Sequence, residues 1–229
     1  NCATERKDLY GNADFSADGP DTIRTDKNGK AYYALVNRDN GLAGSGMNKC
    51  PDAKIIPLTT DQDTLLESIK AFKADGYTAG AIAVQWTYYM LAPQWRSVIK
   101  NAGLGDGPAS TNPDKILKVA ILMTDGQFNT AYAGVGKNYN AQGNLARSNA
   151  ENICSNMKAD GIEVYTIGFD LNDKSMSATE RAEAKSVLQN CSSPDKPGRQ
   201  HFFDASTGTE LDGAFQKIIA DIEGLVLTQ

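Results

Sequence analysis

The sequence predicts an α/β fold in which a parallel β-sheet lies between layers of helices. From Lys54 onward, short apolar runs alternate with segments whose apolar residues recur at helical spacing, which is typical of a parallel sheet covered on both faces. The central run, Val119–Met123, is short, contains Val and Ile and ends at a turn signal. These features are typical of a strand buried on both faces.

The chain divides into two parts of different composition. Residues 1–53 are rich in Gly, Asn, Asp and Lys, and only Ala31–Val36 has the pattern of a strand. We expect this part to be a polar N-terminal elaboration and residues 54–229 to form the α/β domain. A chain of 229 residues is long enough to bury a substantial core.

One strand and two helices are predicted before the central strand. The strand is predicted at Lys54–Leu58, and Thr60 with Asp63 three residues later is the capping pattern of the helix that follows. A second helix is predicted over Ala79–Leu91, because Pro93 cannot continue it. Its aromatic residues have helical spacing, which favours core packing over a ligand patch.

The second half repeats the alternation of helix and strand, and two of its helices carry capping patterns. The predicted features are a helix over Leu145–Ala159, a strand over Ile162–Phe169, a capping box of Ser177 and Glu180, a helix burying Ala184, Val187, Leu188 and Cys191, a strand at His201–Phe203, and a last helix capped by Thr209 with Asp212.

The four cysteines favour an oxidising compartment. They are Cys2, Cys50, Cys154 and Cys191, and their even number and wide spacing fit two disulfides, for which three pairings exist. We favour Cys2–Cys50, which would staple the polar N-terminal part, and Cys154–Cys191, which would join two successive helices. Four buried free thiols in a cytosolic protein are the alternative.

Charge and hydropathy exclude several classes of partner. The net charge is −5 and no Lys/Arg cluster follows one face, so nothing indicates nucleic-acid binding. No segment is as long as a membrane span, and no signal-peptide pattern is present. Because the chain opens on Asn1 and Cys2 without a Met, we expect a processed or truncated piece of a longer protein, in which any signal or membrane anchor lies upstream.

Asp125 is the first candidate site residue. It follows the central apolar run, and open α/β sheets place their ligand sites at the carboxyl ends of the strands. A carboxylate there, followed by Gly126, suits a hard cation or a polar partner. The alternative is a turn Asp that accepts hydrogen bonds from its own backbone.

Several longer motifs resemble one family of bacterial envelope proteins. They are T-A-G at Thr78–Gly80, W-T-Y-Y-M-L-A-P-Q-W at Trp86–Trp95, V-A-I-L-M-T-D-G-Q-F-N-T-A-Y at Val119–Tyr132, I-E-G-L-V-L-T-Q at Ile222–Gln229, and the sequences beside Cys50, Cys154 and Cys191. Over roughly residues 50–229 the chain resembles the von Willebrand factor A-like region of the TadG-type proteins of tight-adherence (Flp) pilus systems. The combination carries the resemblance, since T-D-G alone is common.

The resemblance implies a non-catalytic bacterial envelope protein. Family members are anchored in the inner membrane by an N-terminal helix, project the A-like domain outward, and take part in pilus assembly and surface attachment. It therefore implies a three-layer sheet of von Willebrand factor A type, a periplasmic or cell-surface location, and partners among other pilus or envelope proteins.

The resemblance also implies a partial Mg²⁺ or Ca²⁺ site. A-like domains hold a divalent ion with a D-x-S-x-S loop after the first strand, a Thr from a later loop and an Asp after the fourth strand. Thr78 and Asp125 match the last two positions, and their oxygens are ligands that both ions prefer. The D-x-S-x-S strand would precede everything in this sequence, so we expect a sheet without its first strand. One such string, Asp173–Ser177, stands in the wrong order, and Ser177 is explained as a helix cap.

The rival functions are an enzyme and a purely structural module. A hydrolase would use the polar loops 101–114 and 130–144 as a lid over Asp125, but the sequence contains no nucleophile–base pattern. The only histidine, His201, stands beside two Phe residues, which favours packing or a surface position over catalysis. In a structural module, Asp125 would only cap a turn.

Overall fold

The N-terminal part of the chain forms two small antiparallel ribbons. The computed structural model describes residues 2–38, 53–73, 77–110, 116–135 and 142–227. Strand β1 (Cys2–Lys7) pairs with β4 (Leu35–Arg38), and β2 (Ile23–Thr25) pairs with β3 (Ala31–Tyr33). The single strand predicted at Ala31–Val36 is therefore two strands, separated at the buried Ala34.

In the described part of the chain, three α-helices precede the parallel sheet: α1 (Gln62–Lys70), α2 (Gly80–Leu91) and α3 (Arg96–Asn101). The strand predicted at Lys54–Leu58 is wrong, since this segment is irregular and Ile55 and Leu58 are exposed. Pro57 within it has no N–H for a strand ladder. The predicted Thr60 cap is also wrong, because the side chain of Asp61 accepts hydrogen bonds from the backbone N–H groups of Asp63 and Thr64.

The charged side chain of Arg6 in β1 is buried against α2. Arg6 is 1% exposed, and its guanidinium lies 5.1 Å from the centre of the Tyr89 ring. Tyr89 in turn stacks on Trp95 with ring centroids 4.2 Å apart. The prediction that these aromatic residues are core residues is confirmed, since Tyr89 is fully buried and Trp95 is 3% exposed. Desolvation by burial lowers the pKa of Arg6.

Among the described residues, the sheet of the α/β domain has three parallel strands in the order of the chain. They are β5 (Val119–Thr124), β6 (Glu163–Phe169) and β7 (Phe202–Ala205), with β6 in the centre. Residues Val164–Gly168 of β6 are all buried, as expected of a strand covered on both faces. The same prediction for the central run is wrong, because Ile121 and Met123 of β5 are 41% and 50% exposed.

Helices cover the sheet on both sides. Val164 of β6 belongs to a core with α2, α4 (Gln142–Ala159) and α5 (Ala178–Cys191). Tyr165 and Ile167 of the same strand point the other way and pack on Ala214 and Ile218 of α6 (Gly208–Leu227). Since successive side chains of a strand face opposite ways, the helices form two layers. The predicted α/β sheet flanked by helices is confirmed.

Local signals at two helix starts had different outcomes. The capping box of Ser177 and Glu180 is confirmed, with both reciprocal hydrogen bonds present. The cap predicted at Thr209 with Asp212 is wrong by two residues. The Thr207 hydroxyl accepts a hydrogen bond from the N–H of Glu210, whose carboxylate accepts one from the N–H of Ser206.

One of the two predicted disulfides lies within the described residues. Cys154 of α4 and Cys191 of α5 are bonded, and both are fully buried in the core. The pairing predicted for Cys2 involves Cys50, which lies outside the described residues. Among the helices of the described ranges, none has the length and apolar character required to cross a bilayer.

Candidate functional site at the carboxyl edge of the sheet

Two aspartates follow neighbouring strands at the carboxyl edge of the sheet. Thr124, at the end of β5, is paired with Gly168 near the end of β6. Asp125 and Asp170 directly follow the two strands, and both are exposed. Asp170 has a φ of 51°, a left-handed conformation that Asp tolerates better than most residues. The sequence pattern singled out Asp125, whereas the strained Asp170 on the central strand is evident only from the backbone.

Thr78 lies against the loop that follows β5. Its carbonyl oxygen accepts hydrogen bonds from the N–H groups of Asn129 (3.1 Å) and Thr130 (3.3 Å). Its own N–H donates to the Asn129 side-chain oxygen over 3.0 Å. The segment before α2 and the loop after Asp125 are therefore joined at the same edge. No hydrogen bond joins the side chains of Thr78 and Asp125 themselves within the described residues.

A buried aromatic ring explains why these two loops approach so closely. Phe128 is 1% exposed and lies against Gly80, the first residue of α2. A Cβ atom at Gly80 would be 2.2 Å from the Phe128 ring, a distance that no real contact allows. Glycine at this position therefore lets the start of α2 close over the loop, and this closure places Thr78 beside Asn129.

Polar contacts tie the same loop to the helical layer behind it. The Gln127 side-chain amide donates to Glu183 of α5 over 3.1 Å. Glu183 also forms an ion pair with Arg147 of α4, at 3.1 Å. Within the loop, the Thr124 hydroxyl accepts from the N–H of Gly126 at 3.3 Å. The loop is thus fixed on both sides of Asp125, while the Asp125 carboxylate itself is exposed.

Thr78 and Asp125 would be only part of the ligand set of a divalent ion. Ca²⁺ takes about six to eight oxygen ligands, and Mg²⁺ requires a near-octahedral set. Thr78 and Asp125 are two ligands, and no group of three or more His, Cys, Asp or Glu side chains in the described ranges could hold a metal. Asp173 of the D-x-S-x-S string accepts a hydrogen bond from the Ser175 N–H, and Ser177 caps α5.

The charged cluster around His201 lies at the opposite edge of the sheet. His201 precedes β7 and is fully buried, with its Nε2 atom 2.7 Å from the Glu163 carboxylate. Its Nδ1 atom lies 3.5 Å from Asp195, and Lys196 also pairs with Glu163 at 3.1 Å. Because the strands are parallel, this amino edge is remote from Asp125. The sequence predicted packing or a surface position for His201; the side chain is buried, and its charged partners were not predicted.

A cleft also opens at the amino edge. Its volume is about 450 Å³, and its lining includes Tyr88, Lys118 and Asp160. The ammonium of Lys118 donates to the backbone oxygens of Leu91 and Ala109, at 2.7 and 2.8 Å. The Tyr88 hydroxyl donates to the Asp160 carboxylate. These polar groups already have partners, so the cleft offers weaker grounds for a site than the exposed carboxyl edge.

Comparisons with known proteins identify no family for this chain. Neither a protein-family model nor a curated protein matches it.

Proposed function

We propose that this protein is a non-catalytic envelope or cell-surface component that binds another protein at the carboxyl edge of its sheet. The resemblance to the A-like region of TadG-type proteins supports a role in pilus assembly or adhesion and a von Willebrand factor A type of sheet. On this proposal, the domain is exposed to the bacterial periplasm or cell surface and contacts other pilus or envelope proteins.

One observation carries the proposed position of the contact. The hydrogen bonds between Thr78 and Asn129 join the two loops that bear the candidate residues Thr78 and Asp125. The loops are held by buried packing, whereas the Asp125 carboxylate is exposed. A rigid frame that presents an exposed polar group loses little conformational entropy on binding.

The charge of this edge indicates the chemistry of the partner surface. Asp125 and Asp170 are exposed, and Asp204 of β7 is already paired with Lys185 at 2.9 Å. A partner that presents Lys or Arg side chains would therefore complement the edge. A cation shared between the two proteins would be the alternative bridge, because Thr78 and Asp125 alone provide too few ligands.

Quantitative capture from a bacterial envelope extract tests this proposal. The immobilised chain and its Asp125→Ala variant would be compared by mass spectrometry of the retained proteins, with and without EDTA. We expect pilus or envelope proteins to be retained by the native chain and reduced at least tenfold by Asp125→Ala. Loss of capture in EDTA would indicate the cation bridge, and retention would indicate direct ion pairing.

Asp106→Ala is the matched control, because the Asp106 side chain is 85% exposed and only pairs loosely with Lys100 at 3.7 Å. It should retain the same proteins as the native chain. Equal capture by the native chain and Asp125→Ala would contradict a binding site at this edge. It would favour the structural module, in which Asp125 only ends a turn.

The hydrolase alternative receives less support from the geometry. The only histidine of the chain, His201, is buried at the amino edge, remote from Asp125. A hydrolase centred on Asp125 would therefore have to work without a histidine base.

A further inference from the structure

The β5 strand leaves one apolar face of the sheet open. Val119 packs with the core under α6, and Ile121 and Met123 follow it on the same face at intervals of two residues. Ile121 is 41% and Met123 is 50% exposed, although the neighbouring β6 is buried on both faces. Within the described residues β5 pairs only with β6, and residues 119–124 contain no charge or proline to protect its other edge.

Helix α1 also leaves an apolar face exposed. It is amphipathic, since Leu65 and Ile69 lie on one helical face and Phe72 follows just after its end, but it buries none of its residues. Ile69 is 60% and Phe72 is 63% exposed. Asp63, Glu67 and Lys70 lie on the opposite face, so the helix is built to cover an apolar surface.

We propose that two copies of this chain pair reciprocally, with α1 of each copy packed on the open β5 face of the other. This interface adjoins the edge proposed at Asp125, because Met123 stands two residues before it in the chain. The same contact, made twice about a twofold axis, covers both apolar surfaces in both copies. No change inside either copy is required, since α1 and the β5 face are already exposed in one molecule.

The exposed area reaches the lower end of the range for a specific interface. Six large apolar side chains of the two surfaces are between 39% and 63% exposed: Leu65, Leu66, Ile69, Phe72, Ile121 and Met123. At on the order of 100 Å² each, they present roughly 600 Å² per copy, or about 1,200 Å² in a dimer, which is where standard interfaces begin.

Light scattering coupled to size-exclusion chromatography measures the expected dimer. The native chain should form a dimer at micromolar concentration, and Ile69→Lys should raise the dissociation constant at least a hundredfold. Ile69 is exposed in the single chain, so this substitution should leave the far-ultraviolet circular dichroism unchanged. Glu67→Gln alters the charge by the same amount on the polar face of α1, and should dimerise like the native chain.

A cross-linking experiment distinguishes exchange between copies from closure within one copy. A chain carrying Ile69→Cys and Met123→Cys should form covalent dimers on mild oxidation. A cross-link within single chains would place α1 on its own sheet and overturn the proposal. A native chain that stays monomeric, or an Ile69→Lys variant that dimerises like Glu67→Gln, would overturn it as well.

Discussion

The pKa of Glu163, at the amino edge of the sheet, depends on its contacts with His201 and Lys196. Burial alone would raise its pKa, but hydrogen bonds from His201 and Lys196 outweigh this effect and hold the pKa below its usual value. A carboxyl group whose pKa is lower in the folded state than in the unfolded chain stabilises the fold when it is ionised. Its contribution is complete above the unfolded value of about 4.3.

The stability conferred by Glu163 should therefore disappear on acidification. We expect the difference in unfolding free energy between the native chain and Glu163→Gln to be present in full at about pH 5. It should shrink as the pH falls below about 4, because the native carboxylate then takes up a proton. Urea unfolding at each pH measures this difference, and a difference that grows with acidification would contradict the assignment.

Sequence reasoning could not reach the Glu163–His201 pair. The two residues are 38 positions apart in the chain. Glu163 begins β6 and His201 precedes β7, and each is followed by apolar residues that give no sign of a charged partner. The same limit applies to Thr78: its match to the A-like family could be seen in the sequence, but its hydrogen bonds to Asn129 depend on Gly80 packing against Phe128. Long-range polar contacts of this kind leave no periodic signal.

At the scale of elements, the Cys154–Cys191 bond joins α4 and α5, which lie in the same helical layer. The bond closes a loop with a sequence separation of 37, so the loop-entropy model gives a stabilisation of about 3 to 4 kcal/mol. We expect the Cys154→Ala/Cys191→Ala double variant to lose about this much unfolding free energy, measured in guanidinium chloride without reductant.

Alkylation provides the independent check on the same bond. Both sulfurs are fully buried, so the native chain should resist modification of these two cysteines in mild reductant until denaturant is added. Rapid modification of Cys154 and Cys191 in the native state would show that α4 and α5 separate without global unfolding.

Elements with strong local signals were predicted well, and those decided by their surroundings were not. The strand at Ile162–Phe169 and the capping box at Ser177 needed only an apolar run and a reciprocal pair of side chains. The segment Lys54–Leu58 is as apolar as a short strand but remains irregular, because a strand also requires a neighbour to pair with. The Val119–Met123 run formed a strand, but which of its faces is covered depends on distant helices.

At the scale of the whole molecule, the N-terminal part supplies polar core residues to the rest. Glu5 of β1 is 2% exposed, and its carboxylate accepts hydrogen bonds from the N–H groups of Tyr132 and Ala133. It also accepts one from the Asn149 side chain of α4, at 2.7 Å. Composition separates residues 1–53 from residues 54–229, but these buried contacts link the two parts energetically.

The two parts should therefore unfold together. We expect tryptophan fluorescence, which reports Trp86 and Trp95 beside β1, and far-ultraviolet circular dichroism, which reports the helices, to give coincident urea transitions. Glu5→Ala removes the acceptor of three hydrogen bonds, so both probes should report an unfolding free energy lower by about 3 kcal/mol. Lys27→Ala, in the exposed turn between β2 and β3, should shift neither. If Glu5→Ala moved the fluorescence transition alone, the N-terminal part would be an independent unit, and Glu5 would not be part of the common core.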